Sequence, residues 1–133
     1  MDMSMMMKTS MMDGMDMMAM QNLVEACAAC EQACTMCASS MMGMEGMEKC
    51  AAMCMNCADM CNTMMRAMLR PMGTDMASMM AMLDACIAMC MTCMDECMKH
   101  ADMSDVCRMC AQSCKACMEA CMAMKDAMMP MMA

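Results

Sequence analysis

Phe, Trp and Tyr are absent from this 133-residue chain, and branched aliphatics are nearly so, with three Leu, two Val and one Ile. That excludes an interior built in the ordinary way from aromatic and aliphatic side chains. Basic charge is thin: the 8 Lys and Arg stand singly among 16 Asp and Glu, for a formal net charge of -8. With no basic stripe, nucleic acid and anionic membrane surfaces are poor partners, and neither is expected. A single His, no glycine-rich phosphate loop and no nucleophile with a base and an orienting group leave nothing for an enzyme to work with. Long uncharged runs are missing too. Glu25 and Glu31 break one apolar segment and Asp95 and Glu96 another, so no transmembrane span is expected.

What is there instead is sulfur, 40 Met and 17 Cys. From Cys107 to Cys121 the chain reads CRMCAQSCKACMEAC, with steps of three, four, three and four between cysteines. That rhythm averages about 3.5 residues, the spacing that holds side chains on one seam of a helix. It recurs at Cys27, Cys30, Cys34 and Cys37, at Cys50, Cys54, Cys57 and Cys61, and at Cys86, Cys90, Cys93 and Cys97. Together with Cys107, Cys110, Cys114, Cys117 and Cys121, these four stripes use every cysteine in the chain.

Breaks separate the stripes. Ser39, Ser40, Gly43 and Gly46 follow the first, Pro71, Gly73 and the capping candidate Thr74 the second, and His100, Asp102 and Ser104 the third. Ala, Met, Glu, Lys and Gln fill the remainder and favour helix. The pattern predicts one all-α domain with helices over 17–42, 44–70, 74–101 and 103–129. Residues 1–16 form a Met-rich extension, 17–129 the bundle and 130–133 a tail. Short connections make successive helices antiparallel, an up-down-up-down four-helix bundle with a cysteine-lined core.

Continuing each seam past its cysteines gives the two ends different chemistry. Met41, Met44, Met47, His100 and Met103 converge at one mouth; Met20, Leu23, Met64, Met68, Met76, Met79, Leu83, Met124 and Met128 plug the other. Off-seam methionines such as Met53, Met55, Met60, Met91, Met94 and Met98 read chiefly as packing, with weak metal docking as the other role, and the stretch from Met3 to Met18 reads as a metal collector.

Each stripe covers roughly 15 to 21 Å of helix, so the bundle encloses a column of thiols. As mere packing, cysteine would leave the core underfilled. Disulfides fit badly with an odd number of cysteines in a bundle that needs no staples. Zinc takes closed tetrahedral sets, and iron–sulfur motifs wrap a cluster in loops. Cu(I) accepts two or three soft sulfurs and bridges through shared thiolates, which suits a continuous ladder. The i, i+4 pairs Cys30–Cys34, Cys50–Cys54, Cys57–Cys61, Cys86–Cys90, Cys93–Cys97, Cys110–Cys114 and Cys117–Cys121 are expected to chelate from one helix face. If each thiolate bridges two ions and each ion takes two thiolates, capacity is on the order of one Cu(I) per cysteine. Each Cu(I) displaces one thiol proton, so filling adds no buried charge.

With CxxxC and CxxC pairs on four expected helices and a Met/His mouth, the sequence from about Met20 to Met128 resembles the bacterial copper storage proteins. The resemblance implies bulk storage of many Cu(I) ions on inward cysteines, a homotetramer of bundles, and admission of copper at Met41, Met44, Met47, His100 and Met103. Methionine is more abundant than that family's pattern needs, and the N-terminal Met cluster has no counterpart in it. With no secretory signal and no twin-arginine signal, a cytoplasmic location is expected; a mature exported chain would read the same way. The donor or acceptor of the copper is not written in the sequence. Two other functions compete: a copper chaperone, which needs one or two exchangeable sites, and a general soft-metal thiol sink, which folds only around its metal.

Overall fold

The computed structural model describes residues 16–132, so the expected N-terminal Met collector lies almost entirely outside the described residues. Four helices carry the fold: α1 Met17–Ser40, α2 Glu48–Met68, α3 Met76–Met98 and α4 Asp105–Met128, with 3-10 turns at Pro71–Gly73 and Met129–Met132. Three of the helices start on side-chain caps. The Asp16 carboxylate accepts from the Ala19 N–H at 3.0 Å, Asp75 from the Ser78 N–H at 2.7 Å, and the Ser104 hydroxyl from the Cys107 N–H at 3.2 Å.

The helices are shorter than the sequence pattern suggests because the turns claim their ends. Gly43 and Gly46 take φ of 78° and 81°, a left-handed conformation that a side chain would resist, and α2 therefore begins at Glu48 instead of residue 44. Asp75, not Thr74, caps α3, since Thr74 sits in extended backbone just after the 3-10 turn around Pro71.

Each helix packs on two neighbours, α1 on α2 and α4, and α3 on α4 and α2. Sulfur contacts fix the directions. Between α1 and α4 the partners run Cys27–Cys117, Cys30–Cys114, Cys34–Cys110 and Cys37–Cys107, one number rising as the other falls. Between α2 and α3 they run Cys50–Cys97, Cys54–Cys93 and Cys57–Cys90. Both pairs are antiparallel. Across the diagonal, Cys54 meets Cys110 and Cys61 meets Cys117, so α2 and α4 run parallel. That is the up-down-up-down bundle.

Small buried residues, among them Ala33, Ala38, Ala58 and Ala111, help close the structure without Leu-sized volume. On the outside, Asn62 Nδ2 donates to Glu31 at 3.1 Å between α2 and α1, and Lys125 pairs with Asp84 at 2.7 Å between α4 and α3. One expectation needs correction. By length and composition α3 is apolar enough to cross a membrane, because Ala, Met, Cys and Ile outweigh its acidic residues. In this fold it is one wall of the bundle, with Leu83 and its four cysteines turned to the core.

Candidate metal centre

All 17 cysteines are buried and free. The four stripes put them in one core, and the three–four stepping keeps them facing inward along the whole bundle. Their sulfurs form a series of overlapping groups, each with all Sγ atoms within 4.8 Å of one another. The first is Cys27, Cys86 and Cys117. It shares Cys117 with Cys30, Cys61, Cys90 and Cys117, which shares Cys30 with Cys30, Cys34, Cys57 and Cys114. That group shares Cys34 and Cys114 with Cys34, Cys93, Cys110 and Cys114, and Cys110 then leads to Cys37, Cys54, Cys97 and Cys110. The chain of groups is unbroken, as a ladder of bridging thiolates requires.

The groups are assembled across helices more than along them. Of the expected i, i+4 chelating pairs, Cys30–Cys34 and Cys110–Cys114 share a group, whereas the other five pairs fall in no common one. Cys30 and Cys34 are 3.8 Å apart. Helical side chains lean toward the preceding turn, so most thiols reach a facing helix before they reach the next turn of their own. Cys50, Cys107 and Cys121 belong to none of the groups, although Cys50 lies 3.9 Å from Cys97 and Cys107 3.8 Å from Cys37.

Burial and mutual hydrogen bonding set the protonation of the column. Cys50 is pushed up to about 12 from 9.0, mainly by burial, and burial is also the main cause that raises Cys107. Cys57 is held down to about 6, chiefly by the neighbouring Cys114 thiol in its group. Deeper in, Cys114 favours the thiolate at Cys30, while Cys110 favours the protonated thiol at Cys34. Neighbouring thiols thus differ in how readily they lose a proton, and a monovalent soft cation that replaces a thiol proton adds no charge to the core.

The two ends differ. Met20, Leu23, Met64, Met68, Met79, Leu83, Met124 and Met128 are all buried and Met76 is half-buried, forming the expected plug. At the other end, where Cys37 meets Cys107 and Cys50 meets Cys97, Met41 is buried and Met47 packs half-buried on the core. His100 is half-buried, outside every group of converging ligands among the described residues. Met44 and Met103 lie in turns and are 52% and 82% exposed. Of the off-seam methionines, Met55, Met91 and Met98 are exposed, while Met53, Met60 and Met94 are half-buried. Sequence reasoning missed Glu96, a buried carboxylate next to Cys97 whose Oε2 lies 3.1 Å from Lys99 Nζ, unaligned for a hydrogen bond. Its position beside a seam cysteine was the available signal.

A four-helix bundle whose interior is a continuous column of free thiols is a container for many soft metal ions. Residues 16–126 match the copper storage protein family, and the chain belongs to that family. The structure of the copper storage protein Ccsp from Streptomyces lividans loaded with 10 copper equivalents matches with a TM-score of 0.89 at 34% identity, covering 95% of this chain and 99% of that one. A histidine-to-alanine variant of the Streptomyces lividans protein matches at 37% identity with a TM-score of 0.81, over 86% of this chain and 98% of that one. A structure described as a cytosolic copper storage protein from Streptomyces lividans with five coppers matches at 37% identity and a TM-score of 0.78, over 81% of this chain and 92% of that one. No curated protein sequence matches significantly.

Proposed function

We propose that this copper storage protein holds its copper as Cu(I), on its 17 buried cysteines, and fills them as one bridged column. The observation that carries this reading is the run of thiol groups that share members from Cys27 to Cys37, since shared thiolates are how Cu(I) clusters grow. Anaerobic titration of reduced, metal-free protein with Cu(I) against a competing chelator tests it. Tight binding is expected to continue to on the order of one ion per thiol. Saturation after one or two ions would instead mark a chaperone, and equal preference for zinc or cadmium a general thiol sink.

Copper is admitted at the mouth in this reading, with Met41, Met47 and His100 as inner ligands and Met44 and Met103 as outer thioethers. Support comes from their position at the open-turn end, opposite the Met and Leu plug. Residues 1–16 are an extension outside the store, in keeping with a family match that begins at residue 16. A cytoplasmic location is supported by the free thiols, which such a compartment keeps reduced, and by the relative described as cytosolic. Four copies assemble, by the family resemblance, and light scattering of the reduced protein checks this.

A further inference from the structure

The mouth lies at one end of a long column whose other end is plugged, yet the bundle is not equally closed along its sides. Of the neighbouring helix pairs, α2 and α3 pack least extensively. Between them lies a cleft of about 190 Å³ that is lined by Met53 and Asn56 of α2 and by Met89, Thr92 and Cys93 of α3. It shares Asn56 and Met89 with an outer hollow of about 280 Å³ that Asp59, Met60 and Thr63 also line. We propose that Cu(I) also reaches the column from the side through this cleft, with the Met53 and Met89 thioethers as transfer ligands and Cys93 as the first core acceptor.

The inference rests on the storage reading above. Cys93 lines the cleft and also belongs to the group with Cys34, Cys110 and Cys114, with Cys54 3.8 Å away. An ion arriving at Cys93 is therefore already on the ladder. Met89 stands one helical turn before Cys93 on the same face, and Met53 faces it from α2. Both methionines are half-buried, but unlike Met60 and Met94 they do not pack on the hydrophobic core, so filling the interior does not explain them. The order of ligands also suits inward transfer. Asp59 at the rim attracts a cation, neutral thioethers hold Cu(I) in an exchangeable way, and a thiol holds it tightly once deprotonated.

The transfer is a ligand exchange with no change in oxidation state. A Cu–S bond to methionine breaks, a Cu–S bond to Cys93 forms, and the Cys93 thiol proton leaves to water in the cleft. One proton departs for each monovalent ion that arrives, so the charge of the core is unchanged.

Stopped-flow uptake of Cu(I), supplied anaerobically as its acetonitrile complex, tests the route in the full-length protein. The Met53→Leu/Met89→Leu variant keeps apolar volume and helix propensity but loses both sulfurs, and is expected to load several-fold more slowly to the same final copper per chain. Ala88→Leu narrows the same cleft from an exposed position and is expected to slow uptake as well. Wild-type rates in both variants, with circular dichroism showing native helix, would overturn the lateral route and leave storage standing. A wild-type end point of one or two ions would overturn storage itself, a failure that the end point separates from a change in rate. A loss of rate confined to His100→Ala would assign uptake to the mouth and also overturn the proposal.

Discussion

Individual cysteines are not equivalent members of the column. Cys34 belongs to two four-thiol groups, while Cys107 belongs to none and touches Cys37 at the end opposite the Met and Leu plug. Removing a shared ligand opens two sites at once. Cys34→Ser is therefore expected to lose more bound copper per chain than Cys107→Ser, measured at a fixed concentration of competing chelator; equal losses would sink the idea of shared sites. Cys50 gives a pH prediction for the metal-free protein. Its thiol is held up to about 12 from 9.0, chiefly by burial, so the folded chain keeps a proton that the unfolded chain releases. The corresponding stability is whole below pH 9 and is lost as pH rises toward 12. Thermal melting of reduced protein is expected to fall over that window, and to fall less in Cys50→Ala.

Helices and their ends are where conventional stability resides. The plug brings together the large apolar side chains that the cysteine section lacks, and Leu83 is fully buried there. Leu83→Ala is expected to cost about 2–5 kcal/mol by chemical denaturation, because a helix-backed site cannot collapse around the lost volume. Ser104 caps α4 through the Cys107 N–H at 3.2 Å, and Ser104→Ala should remove about 1 kcal/mol. That substitution leaves every thiol in place, so its copper capacity should match wild type. A capacity loss would show that the start of α4 positions the column as well as the helix.

For the molecule as a whole, storage requires a vessel that exists before its contents. Helical capping, the Met and Leu plug and the small buried alanines are contacts that involve no metal ligand bond. Metal-free, reduced protein is expected to give a fully helical circular dichroism spectrum, unlike a thiol sink that folds around its ions. A coil-like spectrum would reject a preformed container. The family relationship adds that the same architecture in the Streptomyces lividans protein accepts 10 copper equivalents. The proposed exchange of Cu(I) for thiol protons would let such a core fill without accumulating charge.

Much of this was readable from residue order. Steps of three and four place Cys27 through Cys37, and the three matching stripes, on one face of a helix whatever surrounds them, because helical geometry is local. The same stepping marked Met20, Leu23, Met64 and Leu83 as the plug, since an apolar seam must continue somewhere. Turn geometry was less legible. Gly43 and Gly46 shorten the second helix through their positive φ, a choice the seam pattern does not encode. Which thiols meet was decided by tertiary structure alone. Cys54 meets Cys93, Cys97 and Cys110 on two other helices, while its i, i+4 partner Cys50 joins none of its groups, because helix register and separation set those distances. The loosely packed side between α2 and α3, where Met53 and Met89 lead to Cys93, has the same origin. Sequence by itself determined that there would be a column of sulfur, since periodicity is a property of one helix. Its ladder of shared groups and its openings arose only when four helices packed, since both are distances between helices.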